Sequence, residues 1–362
     1  MFPTLNMKTI IAKITYDCNL NCKYCSVGSQ ERKGFMSKET LVNIHRKVSK
    51  WGCADTTTII WNGGEPLLAG IKFFKKIKRI QKSMPSHKFI NLIQSNGTLL
   101  NKEYYNFLES EGFRIGLSLD GIRATHDFSR PYKNGKSSFQ DTLYWVKKQR
   151  GAICVLNENT CQHLDLIYEL AKENKIRFQF NLQYQVGNAL TCPELALHNE
   201  KIASAYIKLF DLWFNDKEND RADIEYFDNL VRNINIINID SDEIINVHKC
   251  VYKNDCQHNL LGIGPSGDLY PCCSFASISG FIYGNINHRG ELTDMLNNPV
   301  REKFLKRHDG LDECKSCKYL KICNSGCPLT TYVAFGDIMR KHPYCTSYLE
   351  LYNHVEMKLG FR

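Results

Sequence analysis

The chain has 362 residues, of which 43% are hydrophobic and 23% charged, as is ordinary for a globular protein. Its net charge of +9 includes no long block of Lys and Arg, so we expect no nucleic-acid partner, although a basic surface would favour an acidic protein. No apolar run of about 18 residues and no signal-peptide pattern occurs, which predicts a cytoplasmic protein without a membrane span.

Short β-like runs alternate with helix-like segments through the first half of the chain. The predicted strands are Thr9–Thr15, Thr56–Trp61, Phe89–Gln94, Arg114–Leu119, Ala152–Leu156 and Ile176–Gln183. The predicted helices between them cover residues 37–50, 70–82, 101–111, 138–149 and 163–174. This alternation predicts a parallel sheet of right-handed βαβ units, with ligands at the carboxyl ends of the strands.

Three cysteines follow the first predicted strand at a CxxxCxxC spacing, namely Cys18, Cys22 and Cys25. Iron–sulfur clusters normally have four cysteine ligands. Three thiolates could therefore hold three irons of a four-iron cluster and leave the fourth iron open to a small molecule. A zinc knuckle that lacks its fourth ligand, or reduced cysteines in a turn, would have the same spacing. Sixteen cysteines without an export signal favour metal or redox use over disulfides.

This loop, with Tyr24 before its last cysteine, resembles the signature of the radical S-adenosylmethionine (SAM) superfamily. The resemblance implies an α/β fold, a partial (β/α)6 TIM-like barrel, in which the open iron chelates the amino and carboxylate groups of SAM. It also implies that the reduced cluster splits SAM into methionine and a 5′-deoxyadenosyl radical, which takes a hydrogen atom from the substrate.

The ends of the next predicted strands resemble the SAM-binding motifs of that family. The segment from Asn62 to Pro66 resembles the GGEP motif, which receives the SAM amino group, although a glycine-rich turn before a helix is the alternative. The residues that the resemblance assigns to SAM are Gly63, Gly64, Glu65, Pro66, Ser95, Asn96, Ser118 and Arg130. Asp120 could line the pocket or cap a turn. Three amides could meet SAM or substrate or lie at the surface: Asn181, Gln183 and Gln185.

A second cysteine-rich region occupies the last third of the chain. A GxxxxC element ends at Cys272 on a predicted hairpin, Ile263–Tyr270, and a CxxCxxxxxCxxxC motif runs from Cys314 to Cys327. This order resembles the SPASM domain of radical SAM peptide maturases, which holds two auxiliary four-iron clusters. The resemblance assigns one cluster to Cys250, Cys256, Cys272 and Cys327, and the other to Cys314, Cys317, Cys323 and Cys345. A non-catalytic zinc-binding module is the alternative, since CxxC pairs are common in zinc ribbons.

The resemblance implies two domains and three 4Fe–4S clusters. The radical SAM barrel would cover residues 1–235, with an amphipathic helix at 199–216, and the SPASM domain with a C-terminal helix would cover residues 236–362.

The overall layout resembles anaerobic sulfatase-maturing enzymes, but with two departures. Those enzymes place an Asp, which acts as a base, where this chain has Cys273 directly after Cys272. They also place aromatic residues where this chain has Ser26 and Val27. Cys273 could be the catalytic proton acceptor, an alternative ligand or a packed thiol. Both changes weaken the case for formylglycine formation.

We therefore expect a maturase that abstracts hydrogen from a ribosomally made peptide and forms an intramolecular crosslink. A sulfatase-type maturase is the alternative reaction. The expected partners are the precursor peptide, an electron donor such as flavodoxin or ferredoxin, and a separate leader-binding protein.

Overall fold

The computed structural model describes residues 8–28, 34–52, 55–217, 220–239, 256–307 and 309–361. Its strands are β1 Lys8–Lys13, β2 Thr56–Asn62, β3 Lys88–Ser95, β4 Phe113–Leu117, β5 Gly151–Leu156, β6 Arg177–Leu182, β7 Leu260–Ile263, β8 Asp268–Tyr270 and β9 Gly284–Asn285. Two cysteines of the sequence, Cys53 and Cys250, lie outside the described residues.

Helices alternate with the first six strands and then dominate the rest of the chain. They are α1 Lys38–Val48, α2 Ile71–Lys82, α3 Lys102–Ser110, α4 Arg123–Ser129, α5 Phe139–Gln149, α6 Glu158–Cys161, α7 Leu164–Glu173, α8 Asn199–Asn215, α9 Glu225–Asn238, α10 Cys256–Asn259, α11 Leu292–Leu296, α12 Pro299–Lys306, α13 Asp312–Lys315, α14 Leu320–Cys323, α15 Pro328–Phe335 and α16 Cys345–Lys358. Short 3-10 helices cover Pro66–Ala69, Gly187–Thr191, Pro193–Leu195 and Cys273–Ser277.

The six predicted strands and the five predicted helices between them are all confirmed, with ends that differ by no more than two residues. Local signals explain this agreement. Ser37 and Asn101 accept hydrogen bonds from the backbone N–H groups of Thr40 and Tyr104, which satisfies free donors at the starts of α1 and α3.

The first six strands form the predicted partial barrel in two parts. Strands β4, β3, β2 and β1 are adjacent and parallel, and β5 pairs in parallel with β6. One parallel bridge, between Ser118 and Ile153, joins the two parts at the carboxyl end of β4.

The C-terminal hairpin continues the barrel sheet. Strand β7 pairs in parallel with β1, from Thr9 opposite Leu260 to Ala12 opposite Ile263, and β8 and β9 follow in antiparallel order. The cysteine-rich region therefore shares a sheet with the barrel. The boundary near residue 235 stays a prediction.

A buried polar network joins α1 and α2 to the outer face of the sheet. The carbonyl oxygen of Leu41 lies 2.7 Å from His45 Nδ1, so this nitrogen must donate and His45 Nε2 must accept from Gln81 Nε2 at 3.1 Å. Gln81 and Asn91 exchange two hydrogen bonds of 2.9 Å, and Trp61 donates to Asn91 Oδ1. His45 has no solvent exposure. It is therefore held in one neutral tautomer.

We expect His45 to make the protein less stable in weak acid. Burial lowers the pKa of His45 to about 4, from 6.5 in the unfolded chain. The unfolded state therefore binds the proton first, so this contribution is complete above pH 6.5 and is lost as the pH falls toward 4. Between pH 7.5 and 5.5 the wild type should lose about 1.4 kcal/mol more unfolding free energy than His45→Gln. Anaerobic denaturant unfolding of both proteins measures this difference, and identical pH dependence would contradict it.

No helix in the described part of the chain has both the length and the hydropathy needed to cross a bilayer.

Candidate cofactor and active site

Two glycines hold the segment before the cysteine loop against the end of β2. The N–H of Gly64 donates to the carbonyl of Thr15 and that of Glu65 to the carbonyl of Asp17, both at 2.8 Å. A side-chain carbon on Gly63 would collide with the Thr15 carbonyl, and one on Gly64 with the Asp17 carbonyl. Glycine is therefore needed here because two backbone segments touch. These backbone contacts do not test whether the glycines also bind SAM, so that contact stays a prediction.

The carboxylate of Glu65 is fully buried and accepts three hydrogen bonds. Ser95 Oγ donates to Oε1 at 2.8 Å, the Leu67 N–H donates to Oε1 at 3.0 Å, and the Asn96 N–H donates to Oε2 at 2.8 Å. Pro66 then begins a 3-10 helix that Glu65 caps. Burial raises the pKa of Glu65, and the hydrogen bonds oppose this rise. A carboxylate offers about four acceptor positions, so one remains that fits the ammonium group of an amino acid.

Asn96 also contacts the cysteine loop. Its Nδ2 lies 3.8 Å from Cys18 Sγ and donates to Asn19 Oδ1 at 3.0 Å. The Leu20 N–H donates to the same sulfur at 3.4 Å. Hydrogen bonds to sulfur are usual around ligating thiolates and help to set a cluster's reduction potential. The structure therefore brings Cys18, Glu65, Ser95 and Asn96 together, and their roles toward a cluster and SAM stay predictions.

A buried triad holds the other side of the loop. The Tyr24 hydroxyl donates to Asp120 Oδ2 at 2.5 Å, and Arg130 Nη1 donates to the Tyr24 hydroxyl at 2.6 Å. The Val155 N–H donates to Asp120 Oδ1. Burial raises the pKa of Asp120, and the charge of Arg130 opposes this rise. The sequence alone does not distinguish a pocket-lining Asp120 from one that caps a turn, and it indicates no role for Tyr24. Here Asp120 binds the loop tyrosine.

Arg130 has an unused donor. Its Nε is buried and has no hydrogen-bond partner among the described residues. A buried guanidinium nitrogen of this kind suits an anionic group such as a carboxylate. The residues present therefore fit the two charged ends of the SAM amino-acid moiety, with Glu65 on one side and Arg130 on the other. Ser118 lies where β4 meets β5 and accepts a hydrogen bond from Gln94.

The segment after β6 covers the cysteine loop. The sequence does not predict this contact. Asn188 donates from its backbone N–H to the Cys25 carbonyl at 2.9 Å and from Nδ2 to the Cys22 carbonyl at 3.1 Å. A side-chain carbon on Gly187 would collide with the Cys25 carbonyl. No local pattern near residue 187 indicates this contact, because its partners lie more than 150 residues earlier in the chain.

The amides that the sequence left open lie at the end of β6. Gln183 is 6% exposed, and neither polar atom of its side chain has a partner among the described residues. Asn181 lines a cavity of about 350 Å³ inside the barrel, together with Gln94, Ile153 and Tyr184. Gln185 is half-buried. A cavity of this size is at the lower end of small-molecule sites, which span about 300–1,000 Å³.

A buried cation lies among the C-terminal cysteines. Arg307 is 5% exposed and donates to the carbonyls of Ser325 and Ile338 at 2.8 Å. Its charge interacts with thiols that the sequence assigns to both auxiliary clusters, those of Cys327, Cys314, Cys323 and Cys256. A fixed positive charge suits a group that carries several thiolates. The ligand sets stay predictions, and Cys250 lies outside the described residues.

The described residues contain no set of three or more His, Cys, Asp or Glu side chains close enough to bind one metal ion.

Cys273 lies at the junction of the hairpin and the barrel. It starts the 3-10 helix after Cys272, which packs against β7 and β1. A side-chain carbon on Gly262 would lie 2.7 Å from the Cys273 backbone nitrogen, so β7 needs glycine at this point. Cys273 and Ser26 are half-buried, and Val27 is buried. A catalytic role for Cys273 stays a prediction.

Comparison with known families agrees with this arrangement. Residues 12–183 match the radical SAM superfamily, and residues 255–318 match the iron–sulfur cluster-binding SPASM domain. The chain is a radical SAM enzyme. The predicted recognition and fold are therefore confirmed, and the alternative of a non-catalytic zinc module is not supported. SAM and iron–sulfur clusters are the cofactors of these two domains.

Several relatives that match this radical SAM enzyme over nearly its whole length are described as sulfatase maturases. The cysteine-type anaerobic sulfatase-maturating enzyme of Clostridium perfringens is 27% identical over 374 residues, covering 98% of this chain and 97% of its own. The serine-type enzyme of Bacteroides thetaiotaomicron is 26% identical, with 95% and 88% covered. The solved structure of native anSMEcpe with bound AdoMet has a TM-score of 0.81 at 25% identity, with 98% of both chains covered.

Proposed function

We propose that this radical SAM enzyme modifies a ribosomally made peptide, by removing a hydrogen atom from one of its residues. The observation that supports this is the full-length match to a peptide complex. The structure of native anSMEcpe with bound AdoMet and Cp18Cys peptide matches 98% of both chains with a TM-score of 0.80. Streptococcus suis SuiB bound to precursor peptide SuiA has a TM-score of 0.62 at 15% identity, which supports the fold alone.

SAM on the reduced cluster supplies the 5′-deoxyadenosyl radical, and the chain's own residues do the positioning. Glu65 would hold the ammonium group of SAM and Arg130 its carboxylate. Tyr24, bound to Asp120, fixes the loop between Cys22 and Cys25. Asn188 covers the same loop and would keep water away from it. We propose three 4Fe–4S clusters, with the two auxiliary clusters on the SPASM cysteines.

The intramolecular crosslink is our proposal for the product. It rests on Cys273, since the chain carries a thiol where the resembling sulfatase maturases carry a carboxylate base. A carbon radical formed at the substrate side chain would close a ring onto a neighbouring residue. An auxiliary cluster would take the surplus electron, and a base, for which Cys273 is the candidate, would take the surplus proton. A separate leader-binding protein belongs to the same proposal.

Co-expression with candidate precursor peptides from the same genome, followed by tandem mass spectrometry, tests the proposal. We expect a peptide lighter by two hydrogen atoms, with a fragmentation gap across the joined residues, and 5′-deoxyadenosine in equal amount. The Cys18→Ala variant is the matched control and should leave the peptide unchanged. Deoxyadenosine without any change in plausible peptides would contradict the proposal.

Formylglycine formation is the second candidate, and the sulfatase-maturating relatives favour it. A peptide carrying a sulfatase Cys or Ser motif would acquire an aldehyde. Capture of the product with a hydrazide reagent detects that aldehyde. Capture would show that the product is formylglycine and not a crosslink. A lack of capture from both the Cys and the Ser peptide would exclude formylglycine formation.

A further inference from the structure

The cysteine loop reaches the protein surface between its first two cysteines. Asn21 is exposed, and its N–H donates to the Pro131 carbonyl at 2.9 Å. The N–H of Lys23 donates to the Ser129 carbonyl at 2.9 Å. The surface beside the loop is therefore formed by the end of α4 and the turn that follows it. A protein that docks there would contact segments that are hydrogen-bonded to the loop on either side of Cys22.

One lysine covers an apolar side chain on this surface, and two more lysines lie on the turn that follows. Lys23 Nζ lies 3.5 Å from the ring centre of Phe128, which is 42% exposed. Lys133 and Lys136 are exposed on the following turn, which the Tyr132 N–H closes by donating to the Lys136 carbonyl. The turn is fixed to the loop by a backbone bridge between Leu20 and Tyr132.

One more cation and two carboxylates complete this surface. Arg123, whose side chain is 53% exposed, donates to Ser137 Oγ and pairs with Asp127 at 3.8 Å. Asp141 accepts a hydrogen bond from the Tyr132 hydroxyl. This surface therefore carries four cations and two carboxylates, and both carboxylates already have a partner on the surface. We define the loop face as Lys23, Arg123, Phe128, Lys133 and Lys136.

We propose that the loop face docks an acidic one-electron carrier protein that reduces the cluster held by the loop. In each encounter the carrier is oxidised by one electron and the cluster is reduced by one. A flavodoxin can supply it, because its anionic hydroquinone becomes the neutral semiquinone when it loses one electron. Opposite charges raise the encounter rate of such partners, and an exposed apolar centre suits a short-lived complex. This proposal needs the cluster on the loop but not the peptide reaction.

Charge reversal on the turn that carries Lys133 and Lys136 tests the docking proposal. The variant Lys133→Glu/Lys136→Glu changes two exposed residues that touch neither the cysteines nor the predicted SAM contacts. The matched control, Lys72→Glu/Lys76→Glu, makes the same charge change at exposed positions of α2. Binding of an oxidised, strongly acidic flavodoxin is measured by calorimetry at about 50 mM salt, where surface charges are weakly screened. Cleavage of SAM without peptide is then driven in parallel by flavodoxin hydroquinone and by dithionite.

We expect the variant to bind flavodoxin about tenfold more weakly and to cleave SAM about tenfold more slowly with flavodoxin. With dithionite, which needs no docking, the rate should stay within about twofold and thereby show that the cluster and fold are intact. The control should match the wild type in every assay. Phe128→Ala, an uncharged second variant, should also weaken flavodoxin binding.

Three outcomes would overturn the proposal. The first is equal flavodoxin affinity of the wild type and the charge-reversed variant. The second is an equal loss of affinity in the α2 control, and the third is displacement of flavodoxin by duplex DNA at the same charge concentration. Peptide modification plays no part in these assays, so its failure would leave this result unaffected.

Discussion

Replacement of Cys18, Cys22 and Cys25 by Ala should abolish 5′-deoxyadenosine formation. The three thiolates are the predicted ligands of the loop cluster, and without them SAM would lose the open iron on which we propose that it is split. The variant should keep about 8 of about 12 iron atoms per chain, because the C-terminal cysteines are untouched. Anaerobic iron and sulfide assays, with chromatography of the SAM products, measure both effects.

A single-cysteine control separates loss of the ligands from loss of cysteine as such. Cys192 belongs to no cluster motif and is half-buried. The Cys192→Ala variant should keep the iron content and the SAM cleavage rate of the wild type. The prediction is wrong if the loop variant still cleaves SAM. It is also wrong if that variant retains all of its iron.

Replacement of Arg130 should have the second largest effect. Arg130→Met would leave the Asp120 carboxylate without its positive partner and would remove a donor from Tyr24. Breaking a buried charge pair by removing one partner costs about 3–5 kcal/mol. We expect a loss of this size in the unfolding free energy, measured anaerobically by denaturant titration without SAM.

A double-mutant cycle shows whether Asp120 is the cause. In the double variant Asp120→Asn/Arg130→Met no unpaired charge remains, so it should be more stable than Arg130→Met by at least about 1 kcal/mol. Arg123→Met is the matched control at the start of α4, the helix that Arg130 follows, and its partly exposed ion pair with Asp127 should contribute less than about 1 kcal/mol. Simple addition of the two single losses would show that Arg130 and Asp120 act independently.

Short sequence patterns indicate the cofactor chemistry of the chain. The spacing of Cys18, Cys22 and Cys25 and the order of the C-terminal cysteines resemble the radical SAM and SPASM patterns, and this resemblance predicts iron–sulfur ligation without any structure. The alternation of strands and helices likewise predicts the barrel from the sequence alone. The strand and helix signals and the loop spacing depend on neighbours within a few residues, so local stereochemistry is enough to decide them, whereas the C-terminal cysteines are indicated by their order along the chain.

The tertiary structure decides how the loop is held. Tyr24 meets Asp120 and Arg130 from about 100 residues away, and Asn188 reaches the loop from more than 150. The addition of β7 beside β1 is also invisible in the sequence, since a single strand does not reveal its partner. Contacts of this kind depend on which strands become neighbours. Burial then strengthens the electrostatic interaction within each polar pair. The sequence by itself predicts which groups bind the cofactors, and only the packed barrel decides which residues hold those groups in place.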